Sequence, residues 1–229
     1  MLKLSEIDTS VYYQITIPST GKTTKFRPFR VREERALLTA QESEDRFTMM
    51  NTIESVIKSC IVNLPKRITT FDAEYLFMII RSKSVGEESE VVIKCKSCEK
   101  ETPSVINVTE AKVNGVATNL NIKLSDKLSV KMKYPTIDEV TSVVDSVDEM
   151  AAIAAAIDII YYGNESLEVN DDNRDEVIQF LLNRSEEEMD KIVDFIDNIP
   201  SVSIEHKYRC IHCGTEDSIK IKGLSSFFG

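Results

Sequence analysis

Two cysteine pairs set the strongest constraint on this chain. The stretch VVIKCKSCEK carries Cys95 and Cys98, and KYRCIHCGTE carries Cys210 and Cys213. Each pair ends an alternating, strand-like run and is followed by polar turn residues and a second extended stretch. The chain thus contains two copies of one unit, a strand–CxxC–strand knuckle. A tight turn after the first cysteine lets both sulfurs of a knuckle point at one centre, and Gly214 suits such a turn. Two knuckles face to face supply four thiolates in a tetrahedron, a donor set that suits zinc. Four like charges call for a cation, and the ion then joins distant segments and contributes to folding.

Other readings of the same residues stay open. A redox pair belongs at the start of a helix in a βαβ unit, where the helix N-terminus lowers one thiol pKa; neither pair precedes a helix pattern. An iron–sulfur cluster takes the same four ligands. Unliganded core thiols are the plainest alternative, and the matched settings argue against it. The fifth cysteine, Cys60, shares an apolar stripe with Ile53, Val56, Ile57 and Ile61 and reads as a small core residue. His206 reads as a polar strand residue and His212 as an outward-pointing turn residue.

The rest of the chain is read around the knuckles. VYYQITIPSTGKTTKFRPF is a β-hairpin turning at Gly21. GKTT lacks the upstream glycine and the following helix of a phosphate-binding loop. Helical periodicity runs through VREERALLTAQES, FTMMNTIESVIKSCIV and TTFDAEYLFMIIRSKS, the last with Thr70 as cap. NLNIKLSDKLSVKMKY is a second hairpin. Pro135 opens a helical block with expected helices near 136–145, 148–162, 173–183 and 185–197. Its helix starts are marked by the capping pairs Thr136/Glu139, Asn173/Glu176 and Ser185/Glu188. The acidic stretch EVNDDNRDE lacks the glycine and closing glutamate of a calcium loop and reads as solvated.

The expected fold class is α+β. An N-terminal β-hairpin and helices occupy 1–86, and the first knuckle and a β-hairpin occupy 87–134. A helical insertion fills 135–199, and the second knuckle with an apolar C-terminus fills 200–229. The architecture is a zinc-ribbon-like four-cysteine module closed by both knuckles, with a helical domain inserted between them.

With 229 residues and a net charge of -10, the chain has room for a sizeable core and an acidic surface. That surface argues against nonspecific binding to nucleic acid or anionic membrane. Lysines and arginines gather at the hairpins (Lys22, Lys25, Lys94, Lys96, Lys207, Arg209), with few aromatics for base stacking. They read as a face toward an acidic protein. The longest apolar run, 150–162, is too short to span a bilayer and carries Asp158. MLKLSEIDTS has no signal-peptide core, so a cytosolic setting is expected. Two histidines limit acid–base chemistry. HExxH, GxSxG, dinucleotide and kinase motifs are missing. A four-cysteine site has no open position for water. The reading is a non-enzyme without a small-molecule substrate.

Three segments carry a family resemblance: IPSTGKTTKFRPFRVREERALL, IIRSKSVGEESEVVIKCKSCEK and YRCIHCGTEDSIKIKGLSSFF. Together they resemble the baseplate hub proteins of T-even-type contractile-tail bacteriophages. The resemblance implies a structural protein of the tail baseplate hub, assembled in the host cytoplasm and working through contacts with other baseplate and tail hub proteins. A transient hub-assembly chaperone and, in a different class, a zinc-ribbon nucleic-acid-binding factor are the alternatives. Phe26, Arg27, Phe29 and Arg30 of FRPFR, and Phe227 with Phe228 near the C-terminus, are the candidate partner contacts.

Overall fold

The structure is a computed structural model, and it describes residues 9–43, 45–117, 119–139 and 149–222. Phe227 and Phe228, and most of the helix expected near 136–145, lie outside the described residues. The chain divides into two compact units. One is drawn from Met1–Lys66, Phe71–Val113 and Ser201–Gly229, the other from Arg67–Thr70 and Asn114–Pro200.

The first unit opens with the expected hairpin, β1 (Tyr13–Thr16) and β2 (Thr23–Phe26), in antiparallel register from Tyr13↔Phe26 to Thr16↔Thr23. Its turn is closed by the Gly21 amide donating to Ile17 O at 2.9 Å. Gly21 has φ +65°, a region it enters without a Cβ clash. Helices α1 (Val31–Glu42), α2 (Arg46–Cys60) and α3 (Thr70–Ser84) follow. Asp45 caps α2 by accepting the amides of Phe47 at 3.3 Å and Thr48 at 2.8 Å. Such a cap is worth about 1 kcal/mol. The stripe Ile53, Val56, Ile57 and Cys60 is buried, as its spacing demands. Phe71, Leu76, Phe77, Met78 and Ile80 of α3 are buried too, so this helix forms the centre of the unit's core. The chain leaving α2 continues the hairpin's ladder, with Val62 N–H donating to Lys25 O at 2.8 Å and Arg27 N–H donating to Cys60 O at 3.0 Å.

The same unit contains the two knuckle hairpins. The first is β3 (Glu88–Lys94) with β4 (Glu101–Asn107), paired from Glu88↔Asn107 to Lys94↔Glu101. The second is β10 (Val202–Arg209) with β11 (Glu216–Lys222), paired from Ser203↔Lys222 to Arg209↔Glu216. The short β5 (Lys112–Val113) adds to the other edge of β10, giving the order β11-β10-β5. The chain leaves this unit after Val113 and re-enters it at Ser201 on adjacent strands.

The second unit corrects the expectation of a purely helical insertion. Its sheet has the order β6-β7-β8-β9, formed by β6 (Asn121–Lys123), β7 (Leu128–Met132), β8 (Ile157–Tyr162) and β9 (Glu165–Glu168). The hairpin at 121–132, grouped above with the first knuckle, belongs to this sheet. The run 150–162, read as one helix, is divided. Glu149–Ala155 forms α4 and Ile157–Tyr162 forms β8. The alanine-rich half favours helix. The IDIIYY half is β-branched and aromatic, and it fits a pleated surface against β7. Val130↔Ile160 and Lys131↔Ile159 are partners in that ladder, and Lys131 pairs with Asp158 at 2.6 Å. Helices α5 (Arg174–Leu182) and α6 (Glu186–Asp197) fall where expected. Their Val177, Leu181 and Ile192 join Val130, Met132 and Ile157 in one core.

The capping pairs fare unequally. Ser185 Oγ accepts the Glu188 amide at 3.3 Å while the Glu188 carboxylate accepts the Ser185 amide at 3.2 Å. Thr136 and Glu139 make the same reciprocal pair at 2.9 and 3.3 Å. Asn173 does not: its side chain is committed to the preceding loop, donating to Glu168 O at 2.8 Å and accepting the Asn170 amide at 2.9 Å.

Candidate metal centre

The local cause of the site is a turn that occurs twice. In the first knuckle Cys95 N–H donates to Lys100 O at 3.0 Å and Glu99 N–H donates to Cys95 O at 2.9 Å. In the second, Cys210 N–H donates to Thr215 O at 2.9 Å and Gly214 N–H donates to Cys210 O at 3.0 Å. The residue after the second cysteine is left-handed in both, Glu99 at φ +58° and Gly214 at φ +73°. This backbone reversal turns both sulfurs of a pair to the same side.

The two hairpins present those sides to each other. Ile93, Cys95, Tyr208 and Cys210 form a small buried cluster, with Val91, Cys98 and Ile219 packed against it. Cys95 Sγ lies 3.7 Å from Cys213 Sγ, across a separation of 118 residues, and Cys98 Sγ lies 3.6 Å from Cys210 Sγ. All four sulfurs lie within 4.8 Å of one another, a grouping that could hold a metal ion. A tetrahedron with metal–sulfur bonds of about 2.3 Å has edges of about 3.8 Å, so the donor set fits one tetrahedral ion. Cys95 and Cys210 are buried, Cys98 is half-buried and Cys213 is exposed, so one edge of the cluster faces solvent.

Side chains around the sulfurs bias their charge. Thr102 Oγ1 donates to Cys210 Sγ at 3.5 Å, and the amide of His212 donates to it at 3.4 Å. The Thr102 hydroxyl, backbone amides of the knuckle and a bond from Cys213 together lower the Cys210 thiol to about 5. Thr215 Oγ1, 3.2 Å from Cys213 Sγ, lowers that thiol as well. The Lys100 amide pulls Cys98 down, but desolvation and the neighbouring sulfurs outweigh it and push the thiol up to about 12. Without a cation the cluster tolerates some thiolates and resists the rest, as expected for four sulfurs in contact. By contrast, burial, opposed in part by nearby arginines, pushes Cys60 up to about 11, consistent with an inert core thiol.

Two reciprocal latches join the knuckles, and neither was evident from spacing. Lys96, between the cysteines of the first pair, reaches Asp217 Oδ2 at 3.0 Å and Ser218 O at 3.2 Å on β11. His212, between those of the second, bonds Glu101 O on β4 at 3.1 Å through Nε2. His206 Nε2 contacts Ser104 Oγ at 2.7 Å across the hairpins. The two histidines are therefore engaged away from the sulfurs. Thr102 and Thr215 leave no mark in the sequence pattern, because a hydroxyl near a cysteine carries no spacing signal.

The candidate contact residues separate sharply. Phe26 is 1% exposed and Arg27 5% exposed. Arg27 pairs with Glu33 at 2.9 Å and also donates to Pro28 O at 3.0 Å and Ser59 O at 3.1 Å. Those two side chains stabilise the unit from within and offer no surface. The cause is the alternation of β2, which turns Phe26 inward, and the burial of the Glu33 carboxylate, which needs a cation. Phe29 is half-buried, its ring 5.8 Å from that of Phe77. Arg30 is exposed and donates to Ser10 Oγ at 3.0 Å.

Fold and site together define an α+β protein with a compact insertion and a four-cysteine cluster shared by two hairpins of one unit. Among the described residues no helix is long and apolar enough to cross a membrane. The family model for the T4 bacteriophage base plate protein matches residues 10–229, and the chain belongs to that family. Comparison with curated proteins and with solved structures gives no match.

Proposed function

We propose that this chain is a structural component of the phage baseplate hub, acting through protein–protein contacts and stapled by one zinc ion on Cys95, Cys98, Cys210 and Cys213. The observation that carries the reading is the convergence of four sulfurs from two hairpins, bringing Cys95 to Cys213 across 118 residues. Membership of the baseplate family supports the structural role. Zinc is favoured because the sulfurs are about a single ion's tetrahedral edge apart, whereas an iron–sulfur cluster interposes several atoms between its thiolates. When bound, the ion supplies positive charge to the thiolates and holds β3–β4 against β10–β11. With four protein ligands it has no open coordination position, so the role proposed for it is structural. The protein works in the virion tail after assembly in the host cytoplasm. Phe29, Arg30, Phe227 and Phe228 are the residues proposed to touch neighbouring hub proteins.

Two measurements test this. Elemental analysis of the purified chain should give one zinc per chain with no visible absorption. An iron content with visible bands overturns the zinc assignment. Mass spectrometry of purified particles should detect the protein. Its absence from particles, together with a requirement for it during assembly, would assign it instead as a transient assembly chaperone.

A further inference from the structure

Away from the cysteines, the first unit holds an arginine whose charge is not answered. Arg81 lies in the last turn of α3. Its Nη1 is buried with no hydrogen-bond partner, and burial lowers the guanidinium from its ordinary pKa. Among the described residues no carboxylate pairs with it; Glu34, at the rim of the same cavity, is exposed and stays apart. A buried donor without an acceptor is a standing cost to the fold.

Arg81 is one of the residues lining a cavity of about 300 Å³, most of whose other lining side chains are apolar. Its apolar lining includes Phe29, Phe77, Leu37 and Leu38 of α1, and Val85 beyond α3. Leu38 is 55% exposed and Val85 64% exposed, so the rim is apolar and open. Leu37, Leu38 and Gln41 lie on one face of α1, and that face lines the opening. Phe29, one of the contact candidates read from the sequence, is part of this cavity.

We propose that this cavity is a docking site for a segment of a partner protein that inserts an apolar side chain beside an aspartate or glutamate, the carboxylate pairing with Arg81. The chemistry selects that occupant. The walls call for an apolar group, and the single half-buried guanidinium calls for one carboxylate. A polyanion such as nucleic acid would find one donor, an apolar rim and the Glu34 carboxylate, on a chain whose net charge is -10. A desolvated arginine in an apolar pocket is also the usual composition of an interface hot spot. The proposal rests on the cavity alone and is independent of the metal and hub readings.

The test uses the full chain and two probes, acetyl-Leu-Phe-Glu-Leu-amide and its glutamine analogue, with inorganic phosphate as a third arm. Binding is followed by NMR through the Arg81 Nε–H signal and the Leu37 and Leu38 amides. The glutamate peptide should shift these signals and bind at least about ten-fold tighter than the glutamine peptide, the difference expected for a charge-assisted pair. Arg81→Met should abolish that preference and raise the melting temperature by about 2–4 °C, since it removes an unpaired buried donor. Equal binding of the two peptides, no binding, or phosphate binding as strong as the peptide overturns the proposal. So does a lower melting temperature for Arg81→Met, which would make Arg81 a structural residue.

Discussion

Glu99 and Gly214 occupy the same place in two turns of identical hydrogen-bond pattern, four residues after Cys95 and Cys210, and both are left-handed, at φ +58° and +73°. One knuckle uses glycine there and the other does not. A left-handed residue with a side chain costs about 1–2 kcal/mol. Gly214→Ala should therefore destabilise the chain by about that amount. Glu99→Gly should relieve the same strain, offset in part by the roughly 0.5–1 kcal/mol of extra chain entropy that glycine loses on folding. Equilibrium denaturation of both variants measures the asymmetry. Equal destabilisation by both changes would contradict it.

The buried pair of Arg27 and Glu33 makes a second prediction. Burial acts to raise the Glu33 carboxyl, but hydrogen bonds from Arg27, Arg32 and the Arg30 amide outweigh it and hold the group at about 2, below its ordinary 4.5. A depressed carboxyl stabilises the fold fully above its unfolded value. That contribution is lost as pH falls from about 4.5 toward 2. Arg27→Met leaves the buried carboxylate partly stranded, with only Arg32 and the Arg30 amide as partners, and should cost about 1–3 kcal/mol at neutral pH. The deficit should shrink on acidification, because the stranded group can then protonate. Urea unfolding at pH 7 and pH 4 measures both effects.

A third prediction concerns the strand β8. Ile157 is fully buried between the sheet and its helices, whereas Tyr162 is largely exposed. Ile157→Ala should cost about 2–5 kcal/mol. Tyr162→Ala should stay within about 0.5 kcal/mol of the parent. Thermal unfolding followed by circular dichroism separates them, and similar losses at both positions would contradict the packing.

The hydroxyl beside Cys210 supports a fourth. Thr102→Val keeps the shape of a buried strand residue and removes the donor to Cys210 Sγ. Partners of metal ligands are typically worth 10–100-fold in affinity, so a loss of about ten-fold or more is expected in competition with a chromophoric chelator. Unchanged affinity would mean that the hydroxyl does not tune the thiolate.

How much of this was legible in the sequence depends on the range of the signal. The CxxC units declare themselves locally, because a strand, a tight turn and a return strand are contiguous in sequence, Glu88 to Asn107 and Val202 to Lys222. Gly21 and the Ser185/Glu188 pair are local in the same way. The strand at 157–162 was not legible as such. Its apolar run continues from an alanine-rich helix without punctuation, and only pairing with Val130 and Lys131 fixes it as sheet. Asn173 matched a capping spacing but was captured by a loop that spacing does not describe. Arg27 read as a surface cation within a basic stretch. Its burial follows from Glu33 lying six residues on in another element, a relation that composition cannot carry. Arg81 gave no signal at all, since a cation near a helix C-terminus is ordinary.

The central claim is that four sulfurs from two hairpins, 112 and 118 residues apart at their closest contacts, share one ion. X-ray absorption at the zinc edge of the purified protein addresses it most directly. Four sulfur neighbours at about 2.3 Å, with no nitrogen or oxygen bound to the ion, are expected. A shell of two sulfurs with nitrogen or oxygen, or protein that retains no metal while both pairs react freely with a thiol reagent, would contradict it.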